Sequence, residues 1–299
     1  MARLCEGRVA IVTGGARGVG REHCLMLAEH GAKVVVNDLG GDRAGTGQDI
    51  SAAQQVVNEI KAMGGEAVAN GDDVSDWDGA KRMIDQAVSA FGKLDAVVLN
   101  AGILRDRMLV NMSEQEWDAV IKVHLKGTFA PARHAAAYWR DQSKAKGGPV
   151  DARIITTTSV SGIYGNIGQT NYGAAKAGIA SFTVIAAREL GRYGITVNSI
   201  SPSAFTRMTE DLRVYTDDDK ETRSPKWIAP VATWLVSEES REITGRVFQA
   251  GNGQFAVAEG WHKGPESKPV LDPRQAGKIL TELAKKARKN AGMNGLDLD

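Results

Sequence analysis

Cysteine is scarce: Cys5 and Cys24 are the only two in 299 residues. No disulfide framework is expected, and a reducing compartment fits. An excess of one charge is also lacking. Lys and Arg number 37 against 36 Asp and Glu, a formal net charge of +1, which argues against nucleic acid or a membrane surface as the main partner. No run of about 20 apolar residues occurs, and no signal peptide opens the chain. There are no repeats, and the sequence calls for no metal. A soluble, cytoplasmic protein with no nucleic-acid or membrane partner is expected.

What is present is a large apolar fraction, 42%, in a regular order. "RVAIVTG" (8–14) reads as a buried strand ending in Gly. A helix pattern follows from Val19 to His30 and stops at Gly31. Strand and helix patterns then alternate: "AKVVVND", helix 52–65, "EAVAN", helix 77–92 and "LDAVVLN". A long helix over 114–145, strand 152–159, helix 171–191, strand 195–201, helix 228–237 and a last strand over 246–251 complete the series. Short apolar strands separated by helices predict an α/β fold. The form expected is a doubly wound parallel sheet of Rossmann type, in three layers α/β/α. Residues 1–260 form one dinucleotide-binding and catalytic domain in this reading. Residues 261–299 form a linker and an amphipathic helix with Ile279, Leu283, Ala284 and Ala287 on one side. Its expected role is docking onto the body or a neighbouring subunit.

Two connections break the regularity. Residues 39–51 are long and Gly-rich, and residues 202–226 are polar, with "TDDDKETRS" in their middle. The second reads as a mobile loop or helical flap.

Several residues point to chemistry. In "TGGARGVG" (13–20), Gly14, Gly18 and Gly20 clear the space where backbone N–H groups at a helix start approach a pyrophosphate. Asp38 ends the second strand, where a carboxylate accepts from the adenosine ribose hydroxyls and repels a 2′-phosphate. That favours NAD, although Arg17 in the turn is a counter-signal; a cap or turn role for Asp38 is the plain alternative. Tyr172 and Lys176, four apart in "TNYGAAKAG", share a helix face. A phenol near pKa 10 is a poor base at neutral pH, and a neighbouring ammonium lowers that value. The pair can trade a proton with an alcohol or carbonyl oxygen. Ser159 ends a strand thirteen residues earlier and can hydrogen-bond the same oxygen.

Taken in order, "TGGARGVG", "DDV" (72–74), "NAG" (100–102), Ser159, "YGAAK", "SPSAFTRMT" (201–209) and "ITGRVFQAGNG" (243–253) resemble the short-chain dehydrogenase/reductase family. The resemblance runs from about Arg8 to Gly253. It implies Tyr172 as general acid/base, Lys176 on the nicotinamide ribose lowering the tyrosine pKa, and Ser159 orienting the substrate oxygen. It implies a cofactor site of Gly14, Arg17, Gly18, Val19 and Gly20, with Asp73 and Val74 on the adenine. Asn100, Ala101 and Gly102 would form its floor, and Thr206 would bond the nicotinamide amide. The chain departs from the pattern in three places. Pro202-Ser203 replaces the usual Pro-Gly, Gly251-Asn252-Gly253 replaces Asp-Gly-Gly, and His124 stands where an Asn belongs to the proton relay.

Stretches such as "NAGILRDRM", "VHLKGTF" and "SGIYGNIGQTNYGAAKAG" resemble one branch, the (3R)-hydroxyacyl-CoA dehydrogenase region of peroxisomal multifunctional enzymes, which also accepts 17β-hydroxysteroids. The function implied is NAD-dependent interconversion of a secondary alcohol and a ketone on an acyl thioester or steroid-like substrate. The alternatives are an NADPH-dependent 3-oxoacyl-carrier-protein reductase and a non-catalytic dinucleotide-binding sensor or scaffold. The family's habit of pairing long helices implies a homodimer or homotetramer. For His124 the expectation is a relay position served by its backbone carbonyl, with the imidazole dispensable.

Overall fold

The sequence ITVNSIS and its counterparts bury both faces, as strands covered by helices on either side must. A computed structural model describes residues 3–42, 44–206 and 216–297. The first half contains β1 (Val9–Thr13), α1 (Gly18–Glu29), β2 (Lys33–Asn37), α2 (Ser51–Ala62), β3 (Ala67–Asn70), α3 (Trp77–Phe91) and β4 (Ala96–Leu99). Then come α4 (Glu114–Ile121), α5 (Gly127–Lys146), β5 (Ala152–Thr157), the short α6 (Val160–Ile163), α7 (Thr170–Leu190) and β6 (Ile195–Ser203). The described remainder holds α8 (Asp217–Thr222), α9 (Ala229–Val236), β7 (Val247–Gly251), β8 (Gln254–Ala258) and α10 (Pro273–Lys286).

The strands form one sheet in the order β3-β2-β1-β4-β5-β6-β7-β8. All neighbours are parallel except β7 and β8. Alternation along β1 divides the core. Ala10 and Val12 pack toward α1, α2 and α9, whereas Val9 and Ile11 pack toward α3, α5 and α7. The expected three layers are therefore present. The order reverses between β1 and β4, and in open α/β sheets ligands bind at the carboxyl ends of strands at such a switch.

Local chemistry fixes the helix ends. Asp76 caps α3 by accepting from Gly79 N at 2.6 Å, and Gly92 ends it at φ 81°. Ser113 and Glu116 form a reciprocal capping box on α4.

Three expectations on the elements need correction. The helix read as continuous over 114–145 is interrupted by a π-helical turn, Lys122–Lys126. Pro131 lies just beyond it, inside α5. It has no N–H for the carbonyl of Gly127, four residues back, where the π turn ends. The last strand is not at 246–251, because β8 adds an antiparallel edge. Gly251 pairs with Gln254 across Asn252-Gly253, and Asn252 has φ 54°. An Asn-Gly pair with both residues left-handed makes the tight turn of a hairpin. Finally, α10 stops at Lys286, and its half-buried side is Ala276, Ile279 and Leu283, continued by Ala287 beyond the helix end; Ala284 is exposed.

Of the polar segment 202–226, β6 claims Pro202 and Ser203, and α8 is capped by a box between Thr216 and Asp219. The middle of that segment, 207–215, lies outside the described residues, as does the end of the 201–209 motif. Among the described residues no helix is long and apolar enough to cross a membrane.

Candidate active site

The glycine turn after β1 is shaped by what a side chain would strike. Gly14 and Gly18 have φ of 63° and 52°, a region that favours glycine. A Cβ on Gly14 would lie 2.8 Å from Ala101 Cα, and one on Gly20 would lie 2.0 Å from Gly14 O. The turn therefore leads into α1 with its backbone uncovered, the form an anion-binding helix start needs. Arg17 stands at the N-cap position of α1, and Val19 lies in its first turn. The floor is tied together by Thr13. Its Oγ1 accepts from Asn100 N at 2.9 Å and Ala101 N at 3.1 Å, while Asn100 Nδ2 donates to Thr13 O and Gly14 O, both at 3.2 Å. These bonds lock the ends of β1 and β4 on either side of the switch point. The residues present fit a dinucleotide: the cradle is one that added Cβ atoms would fill.

Asp38 directly follows β2. Its Oδ2 accepts from Ala16 N at 3.0 Å and its Oδ1 from Gly40 N at 2.8 Å, so the carboxylate is fixed beside the glycine turn. Arg17 turns to the loop after it, donating from Nη1 to Gly41 O at 3.2 Å. That loop closes at its neck, with Asp49 N donating to Leu39 O at 3.0 Å. Its far side reaches the connection after β4, where Arg105 Nε donates to Ala44 O at 3.1 Å. The Gly-rich stretch is thus a compact loop bridging both sides of the crevice. Asp73 Oδ1 accepts from Ser75 N and Oγ at 2.8 and 2.7 Å. Val74 is buried, and a Cβ on Gly127 would lie 2.7 Å from its Cγ2. Thr206 lies over the turn, with its methyl 3.4 Å from a Cβ built on Gly18.

Ser159, Tyr172 and Lys176 converge from β5 and α7. Ser159 sits two residues beyond β5, at the N-cap of α6, where its Oγ accepts from Ser161 N, and its side chain faces the Tyr172 phenol. Lys176 is buried, and its Nζ donates to Thr157 O at 2.6 Å, 5.5 Å from the Tyr172 ring centroid. Burial pushes the phenol up to about 12, with the Ser159 hydrogen bond acting against it and the Asp106 charge with it. Burial takes the Lys176 ammonium down to about 7. The expected lowering of the phenol by Lys176 is thus not what this structure shows. Desolvation disfavours both charges, so each group leans to its neutral form.

His124 occupies the middle of the π turn, 2% exposed. Its Nε2 lies 2.8 Å from Ile103 O and 3.1 Å from Ile103 N. With the proton on Nε2 the ring donates to that carbonyl. Nδ1 is then a buried acceptor without a protein partner. Burial, reinforced by the Lys176 charge, takes the imidazole down to about 3. The ring fills the space over Gly102, whose Cβ would lie 2.3 Å from His124 Cε1.

Three positioning residues carried no role in the sequence reading. Thr13 is one. Asn171 is fully buried; its Nδ2 donates to Arg105 O at 2.9 Å and Glu116 O at 3.2 Å, and its Oδ1 accepts from Tyr172 N at 2.7 Å. Gly162 lets α6 lie on α7, since its Cβ would stand 2.6 Å from Lys176 Cβ. Each lies inside or beside a quoted motif, yet its partners are distant in sequence.

Comparison with known proteins agrees with this geometry. The family model for short chain dehydrogenases matches residues 8–217. Hydroxyacyl-CoA dehydrogenase ChsB1 of Mycobacterium tuberculosis is 47% identical over 252 residues, covering 81% of this chain and 77% of that protein. Peroxisomal multifunctional enzyme type 2 of Mus musculus is 45% identical over 248 residues, covering 83% of this chain and 32% of the mouse enzyme. The chain thus spans about a third of that multifunctional protein. The crystal structure of a short chain dehydrogenase from Mycobacterium avium superposes with a TM-score of 0.87 at 52% identity, covering 96% of this chain and 98% of that one. A glycine cradle at the switch point, a Ser–Tyr–Lys cluster beside it and these matches place the chain in the short-chain dehydrogenase family of oxidoreductases.

Proposed function

We propose that the protein interconverts a secondary alcohol and a ketone with NAD, acting on (3R)-hydroxyacyl-CoA thioesters or steroid-like alcohols. The observation that carries this reading is the convergence of Ser159, Tyr172 and Lys176, with the Lys176 amine 5.5 Å from the Tyr172 ring centroid and anchored on Thr157 O. The names of the Mycobacterium tuberculosis and mouse relatives support the thioester as substrate class.

Gly14, Gly18, Val19 and Gly20 would hold the pyrophosphate, Asp73 and Val74 the adenine, and Asn100, Ala101 and Gly102 the floor. Lys176 and Thr206 would hold the nicotinamide half. When bound, the oxidised cofactor supplies a two-electron acceptor and a positive charge near the phenol. The substrate oxygen sits between Ser159 and Tyr172. Ser159 donates to it and orients the carbon; Tyr172 takes its proton in oxidation and returns one in reduction. A positive charge brought near the phenol offsets the desolvation that holds it protonated. Lys176, taken down to about 7, is suited to pass that proton onward near neutral pH. His124 Nδ1, buried without a protein partner, is a further acceptor near the Tyr172 ring.

Asp38 supports NAD over NADP, because a carboxylate fixed beside the glycine turn would repel a 2′-phosphate. The NADPH-dependent reductase reading has Arg17 in its favour, but that guanidinium is drawn to Gly41 O. Assembly as a homodimer or homotetramer and a cytoplasmic location belong to the same proposal. The test is NADH absorbance across a panel of (3R)-hydroxyacyl-CoA chain lengths and 17β-hydroxysteroids, with NAD and NADP in parallel. Turnover of a thioester or steroid with NAD is expected. NADPH-only reduction of carrier-bound 3-oxoacyl groups would overturn the reading.

A further inference from the structure

A polar chain runs from the loop after β4 to the reacting hydroxyls. Asp106 Oδ2 accepts from Gln169 Nε2 at 2.7 Å. That contact fixes which way the Gln169 amide points. Its Oε1 accepts from Ser161 Oγ at 2.7 Å and from Asn166 Nδ2 at 3.0 Å. Ser161 N in turn donates to Ser159 Oγ at 3.2 Å, and the Ser159 side chain faces the Tyr172 phenol. Gln169 and Ser161 are each 6% exposed. Buried amides and hydroxyls are held in one arrangement when every partner is met. Asp106 is the surface end of this chain. Its neighbours pin the same loop: Arg107 N donates to Gly168 O at 2.8 Å, and Arg105 O accepts from Asn171.

We propose that Asp106, acting through Gln169 and Ser161, is a positioning residue for the Ser159 hydroxyl. The proposal rests on reading Ser159 and Tyr172 as the reacting pair. An amide held by a carboxylate on one side presents its oxygen to Ser161. Ser161 then stays seated, and its backbone N–H aims the lone pair of Ser159 Oγ. The Ser159 proton is left for the substrate oxygen or the phenol. Without Asp106 the amide is free to turn over, which would present Nε2 to a hydroxyl and an amide that already donate. The flanking arginines do not replace it. Arg105 is committed to Ala44 O, and Arg107 pairs with Glu116 at 3.2 Å.

The charge of Asp106 also acts on Tyr172 directly, pushing the phenol upward. The other groups facing that ring are the Ser159 hydroxyl, the Lys176 amine and the His124 imidazole. Of these, Lys176 and His124 are unaltered by a change at position 106, so a shifted pH profile in that variant reports on Asp106.

The experiment uses the full chain with NAD and a (3R)-hydroxyacyl-CoA, comparing Asp106→Ala, Asp106→Asn, Ser159→Ala, Tyr172→Phe and the Asp106→Ala/Ser159→Ala pair. Asp106→Ala should lower kcat about ten- to a hundredfold, with the NADH dissociation constant and melting temperature little changed. Asp106→Asn keeps an acceptor for Gln169 and should recover most of kcat. It should also move the alkaline rise of kcat/KM to lower pH, because a negative charge beside the phenol is gone. In the Ser159→Ala background, Asp106→Ala should cost far less kcat at a pH where the phenol charge is not limiting, since its positioning effect passes through that hydroxyl and only the direct charge effect on Tyr172 is left. Equal losses in the Ala and Asn variants, or independent losses in the pair, would overturn the proposal. So would wild-type kcat in Asp106→Ala while Tyr172→Phe is inactive, which leaves the functional reading intact. Full activity in both Ser159→Ala and Tyr172→Phe would overturn the two together.

Discussion

The imidazole of His124 meets the ring of Tyr172 edge-on, with centroids 5.1 Å apart and planes at 86°. It joins the π turn to the residue proposed to carry the proton. The same ring bonds Ile103, so one side chain spans the loop after β4, the turn between α4 and α5, and α7. An edge-to-face contact of this kind orients an aromatic ring as well as burying it.

His124→Asn should therefore keep a substantial share of kcat, provided the relay uses the backbone carbonyl. His124→Leu fills the space but bonds nothing, and should lower kcat further. Steady-state turnover of both variants, with circular dichroism as a check on folding, decides this. Loss of all turnover in a folded His124→Asn protein would assign the proton to the imidazole.

The same residue predicts a pH dependence of stability. His124 is held down at about 3 and His23 at about 4, both by burial. Their unfolded values lie near 6.5. Between those limits the unfolded chain binds more protons, so stability falls as pH drops from about 6.5 toward 3. His134 is lowered too, by burial and the Arg133 charge, and His124→Asn removes one of these contributions. Its melting temperature should decline less steeply between pH 6.5 and 4 than that of the wild type, with His23 and His134 supplying the remaining histidine slope.

Tyr172→Phe should lower kcat by about two to four orders of magnitude and leave NADH affinity nearly unchanged. The measurement is single-turnover absorbance alongside fluorescence titration of NADH. Near-normal turnover would remove Tyr172 from the mechanism.

Lys176 predicts the opposite limb. Its amine titrates near 7 in the fold and near 10.5 in the unfolded chain. The stability linked to it is complete above about 10.5 and is lost as pH falls to 7, by on the order of a few kcal/mol. Lys176→Met lacks this dependence. Its melting temperature relative to wild type should be highest at or below pH 7 and should fall as pH rises to 10. The Tyr172 phenol, pushed up to about 12, has its own window only above about 10. A difference that stays flat from pH 7 to 10 would show that the amine is not buried as described.

Much of this site was legible because its signals are local. "TGGARGVG" carries its own reason, three glycines before a helix, and Tyr172 and Lys176 share a face by spacing alone. What was not legible depends on partners far along the chain. Thr13 matters for the N–H groups of Asn100 and Ala101, and Asn171 for two carbonyls at 105 and 116. The π turn was hidden because its residues have ordinary helical character. β8 was hidden for a different reason. Asn252-Gly253 is a strong hairpin signal, but it falls inside the motif that resembles the family's Asp-Gly-Gly, which hides its backbone meaning.

Gly102 and His124 give the sharpest packing prediction. A Cβ on Gly102 would stand 2.3 Å from His124 Cε1, with both ring nitrogens within 3.1 Å. The ring is fixed by Ile103 on one side and Tyr172 on the other, so it has no open direction in which to move. Gly102→Ala should then cost about 1–3 kcal/mol of stability, as overpacking does, and should lower kcat by displacing the ring against Tyr172. Removing the ring makes room. In a His124→Ala background the added methyl should cost much less, which urea denaturation of the four proteins in the cycle measures directly. Equal costs in both backgrounds would show that the methyl strikes something other than the imidazole.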